Sequence, residues 1–341
     1  MDPIARISRL LNPRSIAIVG ASRAANKMAG QVIPMLLAGG YTGRVLPINP
    51  RYTEVAGQPC YASLADAPDG IDHCVIAVAK ERVAAVLAEC RRKGIPGASI
   101  FSSGYAEAGE SGVAAQQELQ DAAGDIVFLG PNCMGFANLV DRVLAAPASI
   151  FGHDAAAGDI ALLSQSGGLA FASLGFFAQQ AGMRFSYIVN TGNSAGISYT
   201  DLVGFAFRDA ATRVVVAVTE SERAAAQVIE AVRRDGLLKP VVLLKLGRGE
   251  TGRRMALSHT GSLAGDDRVA RDCARQLGIV CVDDIDDVLA AAELLRRGIT
   301  QEQTGGLAAI CISGGNVTLF ADQADAHGLG FADLLPATES R

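Results

Sequence analysis

Short runs of Val, Ile, Leu and Ala alternate along this chain with longer Ala-rich stretches in which polar residues recur. The short runs are apolar throughout, as expected of strands covered on both faces of a parallel sheet. Their alternation with helical stretches predicts βαβ units and an α/β fold class. In the first part, strands are predicted at Ser15–Val19, Arg44–Ile48, His73–Val78, Ala98–Phe101 and Ile126–Leu129. Helices such as Lys80–Lys93 and Gly112–Ala123 lie between them. Phe151–Gly158, which reads Gly-His-Asp-Ala-Ala-Ala-Gly after its first residue, looks like a linker.

The same logic repeats afterwards. Strands are predicted at Asp159–Leu163, Arg184–Val189, Arg213–Val218, Pro240–Leu244 and Ile279–Val282. Helices are predicted at Gly168–Gln180, Tyr199–Asp209, Ser221–Asp235, Asp266–Leu277 and Asp284–Arg297. This is a second doubly wound unit of ordinary domain size. From Gly305 a third unit opens, with a strand at Leu307–Ser313 and a helix from Gly314 to about His327. One strand and one helix cannot bury two sheet faces, so either this piece packs on the second domain or, as favoured, the chain is a fragment of a longer protein. The expected domains are residues 1–150, 151–300 and the start of a third unit over 301–341.

Composition narrows the function classes. No stretch of about 18 residues is apolar and free of charge, which argues against a membrane span, and Met1-Asp2-Pro3-Ile4-Ala5-Arg6 lacks a secretory layout. The 7 cysteines fall singly, with no Cys-x-x-Cys, so a reduced cytoplasmic setting and no metal site are expected. A net charge of −5 and the lack of Trp leave no footprint for nucleic acid.

Candidate chemistry sits where predicted strands end. Gly20-Ala21-Ser22-Arg23, followed by Lys27 and Gly30, turns the first strand into a helix and offers backbone N–H groups to a phosphate. GxGxxG spacing is absent. The second strand ends Asn49-Pro50-Arg51, without the acidic residue that a free ribose diol wants. Two ligands fit, a 2′-phosphorylated dinucleotide or coenzyme A with its 3′-phosphate, beside a purely structural turn. Val78-Ala79-Lys80, Phe101-Ser102-Ser103-Gly104-Tyr105 and Gly130-Pro131-Asn132-Cys133 follow at further strand ends.

In the second part, Ser164-Gln165-Ser166-Gly167-Gly168 closes a strand and opens a helix. It is either an anion cradle of hydroxyls and amides or a Ser N-cap with glycine packing. Asn190–Gly196 forms a small polar loop at the next strand end. Glu220 precedes a helix and either complements its dipole or orients an imidazole. Ser258-His259-Thr260-Gly261, in a glycine-flanked loop after Arg248, Arg253 and Arg254, holds one of only 4 histidines. His73, His153 and His327 show no ligand spacing, and Cys133 reads as a small apolar filler.

The ordered set Gly20-Ala21-Ser22, Asn49-Pro50, Gly130-Pro131-Asn132, Ser164-Gln165-Ser166-Gly167, Glu220 and Ser258-His259-Thr260-Gly261 resembles the NDP-forming acyl-CoA synthetases, relatives of the succinyl-CoA synthetase α subunit. The resemblance covers about residues 10–330. It implies a Rossmann-like CoA-binding domain, a flavodoxin-like ligase domain and a cut-short third subdomain. It further implies conversion of acyl-CoA and phosphate to acyl phosphate and CoA, with phosphoryl transfer to His259 and on to ADP.

By motif match His259 is the phosphorylated nucleophile, Glu220 its orienting carboxylate, and Ser164, Gln165, Ser166, Gly167 and Gly168 the phosphate-binding set. Gly20, Ala21, Ser22, Arg23, Lys27, Asn49, Pro50, Arg51, Val78, Ala79, Ser102, Ser103, Gly104 and Asn132 form the coenzyme A set. ATP or ADP, with Mg, would be handled by a separate ATP-grasp domain or β subunit. The acyl substrate, the choice of ATP or GTP and any homo-oligomer stay open. Two other readings stand beside this one, a CoA-sensing regulatory module without turnover and an NADP-dependent oxidoreductase.

Overall fold

A computed structural model describes residues 2–147, 155–252, 254–255, 267–298 and 306–332. The chain divides into two compact units, Met1–Arg296 and Arg297–Arg341. The predicted linker lies partly outside the described residues, which begin again at 155.

The first unit opens with helix α1, Pro3–Leu11, which the hydrophobic pattern did not single out. Asp2 caps it, its carboxylate accepting the Ile4 N–H at 3.4 Å, and Pro3 occupies the first turn, where its missing donor costs nothing. Ile7, Leu10 and Leu11 are buried.

Five parallel strands then build a sheet: β1 Ser15–Val19, β2 Arg44–Ile48, β5 His73–Ile76, β6 Gly97–Ile100 and β7 Val127–Leu129. Their order is β2-β1-β5-β6-β7, and all five predicted strands are present within a few residues. Helices α2 Met28–Ala38, α3 Lys80–Arg92 and α4 Glu110–Ala123 connect them. A small hairpin, β3 Glu54–Val55 with β4 Gln58–Pro59, follows β2 and was not anticipated.

The second sheet has seven strands in the order β14-β13-β12-β10-β11-β8-β9. Its parallel part is β10 Ile160–Ser164, β11 Phe185–Asn190, β12 Val214–Thr219, β13 Val241–Lys245 and β14 Val280–Val282. At its edge lies the antiparallel hairpin β8 Phe136–Asn138 and β9 Val143–Ala145. These residues precede 150, yet they pair with the second sheet. Asn138 holds the hairpin in place, donating to the Leu11 carbonyl at 3.0 Å and to Asp141 at 2.9 Å.

After β10 the chain winds as a π-helical stretch, Leu169–Leu174, into helix α5, Gly175–Gln180. Helices α6 Tyr199–Arg208, α7 Glu222–Asp235, α8 Asp267–Gln276 and α9 Ile285–Arg296 complete this half. One apolar cluster runs from Ile16 and Ile18 of β1 through Phe101 and Phe136 to Leu163 and Val189. That shared core joins the two sheets within one unit, since burying each such side chain stabilises the fold by about 1.5–3 kcal/mol.

In the second unit helix α10 spans Gly314–Ala326, close to prediction. The strand expected at Leu307–Ser313 does not form. Only Leu307 makes a bridge, to Phe331, and Ile310 and Ile312 stand exposed. A Val/Ile run becomes a strand only when a neighbour accepts its N–H and C=O groups, and no such neighbour is present among the described residues of this unit.

Candidate functional site

Each sheet reverses its winding once. In the first sheet this happens between β1 and β5, in the second between β10 and β12. Open parallel sheets bind ligands at the carboxyl ends of strands beside such a reversal. The loops leaving these strands carry most of the residues singled out by sequence.

In the first sheet, Gly20 follows β1 with φ +89°, and a Cβ there would lie 2.3 Å from the Ala77 carbonyl. Only glycine allows the loops after β1 and β5 to approach this closely. Asn49 ties the end of β2 to the same place. Its Nδ2 donates to the Ala21 carbonyl at 2.7 Å and its Oδ1 accepts the Arg51 N–H at 3.0 Å. Ser22 Oγ accepts the Ala24 N–H at 3.1 Å, while Gly30 packs so tightly that a Cβ would meet the Ala24 carbonyl at 2.0 Å.

Arg23 turns its guanidinium to the Glu54 carbonyl, at 2.9 and 2.7 Å, and lies 4.9 Å over the Tyr52 ring. It therefore braces the β3–β4 hairpin. Lys27 and Arg51 are exposed. Lys27 and Arg51 thus sit on the loops of two adjacent strands as cations that suit a phosphate, with Arg23 engaged at Glu54 beside them.

Ser102 Oγ donates to the Val78 carbonyl at 2.5 Å, and Lys80 Nζ donates to the Gly104 carbonyl. The Asn132 N–H in turn donates to the Ser102 carbonyl at 2.9 Å. Cys133 is buried, and that burial pushes its thiol up to about 12, so it is no nucleophile.

From Asn132 the contacts cross to the second sheet. The Asn193 N–H donates to the Pro131 carbonyl at 3.0 Å and that of Ala195 to the Gly130 carbonyl at 3.0 Å. Asn193 Nδ2 also donates to Glu107 at 2.5 Å and to Gln116 at 3.0 Å. Buried Asn190 accepts the Met134 N–H at 2.6 Å and donates to the carbonyls of Ser164 and Gln165 at 3.0 and 2.9 Å.

Ser164 Oγ accepts the Ser166 N–H at 3.1 Å, and a Cβ on Gly168 would meet only open space. Gln165 spans the reversal point, its Oε1 accepting the N–H groups of Glu220 at 2.7 Å and Ser221 at 3.0 Å. Ser221 caps α7. Fully buried Tyr199 donates to the Val218 carbonyl at 2.9 Å, and burial drives its phenol well above the usual range, helped by the Glu220 charge.

Glu107, Gln116 and the role of Asn193 carry no local sequence signal, because their partners lie far along the chain. Lys245 was also missed. It is buried at the end of β13 and pairs with Glu222 at 2.8 Å. A lone lysine closing the apolar run Val241–Leu244 was the available cue.

Thr219 and Lys245 are register partners, so the segment after β13 leaves the sheet beside Glu220. His259 follows further along the sequence. With Ser258, Thr260 and Gly261, it lies outside the described residues, as do Arg253 and His153. Among the described residues a cleft of about 670 Å³ lies elsewhere on the surface, between α7 and α8. Among the described residues no group of three His, Cys, Asp or Glu side chains could hold a metal, and no helix is long and apolar enough to cross a membrane.

This rim, built of two reversal points joined loop to loop, is that of a doubly wound α/β protein with its strand-end loops gathered where such sheets bind ligands. Residues 14–138 match the CoA binding domain and residues 157–295 the succinyl-CoA ligase like flavodoxin domain. The chain is 33% identical over 328 residues to acetate–CoA ligase (ADP-forming) II subunit alpha of Pyrococcus furiosus, covering 95% of this chain and 69% of that one. It is 31% identical over 330 residues to acetate–CoA ligase (ADP-forming) I of Archaeoglobus fulgidus, covering 96% of this chain but only 47%, about half, of that longer protein. The apo structure of the dinucleotide forming acetyl-coenzyme A synthetase 1 of Ca. Korarchaeum cryptofilum superposes with a TM-score of 0.85 at 30% identity, covering 96% of this chain and 70% of the other. The chain belongs to the ADP-forming acyl-CoA ligase (NDP-forming acyl-CoA synthetase) family.

Proposed function

We propose that this chain is the coenzyme A- and phosphoryl-handling component of an ADP-forming acyl-CoA ligase in the cytoplasm, working with an ATP-grasp domain or β subunit. Residues 1–150 take the coenzyme, 151–300 the phosphoryl group, and 301–341 open a further subdomain. Phosphate attacks the thioester carbonyl of acyl-CoA, the C–S bond breaks, and CoA leaves with a proton as the thiol. A neutral His259 nitrogen then attacks the phosphorus of the acyl phosphate and releases the carboxylate. The phosphohistidine next gives its phosphoryl group to ADP on the ATP-grasp partner, and the reverse sequence makes acyl-CoA.

Within this chain the Ser164–Gly168 loop would hold the phosphoryl oxygens through the hydroxyls and amides of its serines and glycines. The Glu220 carboxylate would fix the His259 tautomer and support its positive charge. The observation that carries the reading is the tie of Gln165 to Glu220 and Ser221 at 2.7 and 3.0 Å, which puts the carboxylate-bearing loop next to the serine-glycine loop. The acetate–CoA ligase names of the relatives make acetate the first acid to try.

The test is incubation of the chain, with its ATP-grasp partner, with acetyl-CoA and radiolabelled phosphate. An acid-labile, base-stable label that disappears in His259→Ala supports the reading. CoA binding with no label in the unmodified protein would instead favour a sensing module, and a nicotinamide absorbance change an oxidoreductase.

A further inference from the structure

We propose that Gln165, held between the ends of β10 and β12, is a positioning residue for Glu220 and not a ligand of the phosphoryl group. This deepens the proposed function and rests on it.

The side chain is 7% exposed. Its Oε1 accepts from the Glu220 N–H at 2.7 Å, the Ser221 N–H at 3.0 Å and the Ser221 hydroxyl at 3.3 Å. An amide oxygen has two lone pairs, so three donors saturate it. The two backbone donors also fix the amide's orientation, because the flipped amide would set its own N–H groups against theirs. An anion could be met only by Nε2, and one of its protons goes to Ser194 Oγ at 3.3 Å.

The Gln165 backbone is independently fixed. Its N–H donates to the Val218 carbonyl at 3.0 Å, and its carbonyl accepts from Asn190 Nδ2 at 2.9 Å. Ser164 pairs in register with Val218, so the two strands end level and their loops leave side by side. A rigid backbone on one loop therefore reaches, through one buried amide, the backbone that carries Glu220.

Proton and tautomer control requires the carboxylate within hydrogen-bond reach of the imidazole. Misplacement by about 1 Å costs on the order of a hundredfold. Gln165 is the residue whose loss would produce such an error while leaving the phosphate cradle itself in place. Ser221 would still cap α7 through the Ala224 N–H at 3.2 Å.

The experiment measures labelling of His259 from acetyl-CoA and radiolabelled phosphate at a series of phosphate concentrations, with the ATP-grasp partner present. Wild type, Gln165→Met and Gln165→Glu are compared. Methionine keeps the shape and removes the acceptor, whereas glutamate keeps an acceptor oxygen at a helix N-terminus, where its charge is favoured.

Positioning predicts that Gln165→Met lowers the maximum rate by about ten- to a hundredfold with half-saturating phosphate within about twofold. Hydrogen exchange at the Glu220 and Ser221 amides rises in that variant, and Gln165→Glu recovers most of the rate. A phosphate ligand would give the reverse pattern, with half-saturation rising in Gln165→Met at a retained maximum rate and Gln165→Glu the worst of the three. That pattern, or an unchanged Gln165→Met, overturns the proposal. If Gln165→Met does not fold, Gln165→Glu decides alone, since a retained rate supports positioning and raised half-saturation overturns it. Absence of label in wild type overturns the phosphohistidine reading and this role together, whereas the ligand pattern with wild-type label overturns this role only.

Discussion

Asn193 donates to Glu107 at 2.5 Å, joining a loop of the first sheet to a loop of the second. Glu107 also accepts the N–H groups of Gly104 at 2.6 Å and Tyr105 at 3.2 Å. Burial acts to raise its pKa, but the hydrogen bonds from Asn193, Gly104 and Tyr105 outweigh burial and leave it below the usual glutamate range. A carboxylate so held fixes the Ser102–Gly104 loop against Asn193.

The lowered pKa sets the sign of a pH effect. A depressed carboxyl stabilises the fold fully above its unfolded pKa, about 4.3, and the contribution fades as pH falls through the folded value. Glu107→Gln is expected to cost about 1 kcal/mol near neutral pH, less than the roughly 1.5–3 kcal/mol of hydrogen bonds to charged groups because solvent screens a partly exposed one. The difference from wild type should shrink on acidification below about pH 4. Urea unfolding of both proteins across that range checks it, and a gap that widens in acid contradicts the assignment.

Gly20→Ala tests the closeness of the loops after β1 and β5. The added Cβ would lie 2.3 Å from the Ala77 carbonyl, at φ +89°, and a backbone carbonyl cannot swing aside. A loss of roughly 2–4 kcal/mol is expected, together with weaker coenzyme A binding. Gly57→Ala is the control, since its φ is +76° but nothing lies within 4 Å. It should cost only about 1–2 kcal/mol and leave binding intact. Thermal unfolding and calorimetric titration with coenzyme A separate the two.

The parallel strands were legible because burial on both faces writes them as continuous apolar runs, such as Ser15–Val19 and Val214–Thr219. The same cue misled at Leu307–Ser313, where the run is present but, among the described residues, only Leu307 finds a partner, Phe331. The hairpin Phe136–Asn138 and Val143–Ala145 went unseen because three-residue strands are too short to show a period. Site loops were legible as small-residue turns after strands. What side chains do within them was not, and Gln165 is the clear case. Its place in Ser-Gln-Ser-Gly pointed to phosphate but carried no sign that its carbonyl oxygen accepts from the Glu220 and Ser221 N–H groups. Arg23, grouped with the coenzyme A set by its motif, likewise braces the Glu54 carbonyl, a contact no motif shows. Partners this distant in sequence leave no local pattern.

With Arg23 engaged at Glu54, exposed Arg51 is the side chain with which to test the proposed contact to the coenzyme's 3′-phosphate. Its backbone is fixed by Asn49, so the side chain starts from a defined point on the rim. Arg51→Ala is expected to weaken coenzyme A binding by about tenfold or more, the worth of charge-assisted hydrogen bonds. It should leave binding of 3′-dephospho-coenzyme A within about twofold. Equal losses for both ligands would move the 3′-phosphate contact elsewhere, to Arg23 or Lys27. Parallel titrations of the two ligands decide.

Glu220→Gln isolates the carboxylate's charge from its place in the fold. The backbone N–H at this position is held by Gln165 at 2.7 Å whatever the side chain, and Ser221 still caps α7. The substitution is therefore expected to change stability by no more than about 0.5–1 kcal/mol. Glutamine can still meet an imidazole, but it carries no negative charge to support the cation and can select the wrong tautomer. Labelling of His259 should slow by roughly 10²- to 10⁴-fold, the range over which such carboxylates act. Affinity for coenzyme A, bound at the other sheet, should stay within about twofold. The decisive measurement is the rate of acid-labile labelling set beside a thermal melt. A wild-type rate in a folded Glu220→Gln protein removes Glu220 from the reaction, and a matching fall in stability reduces it to a helix-end carboxylate.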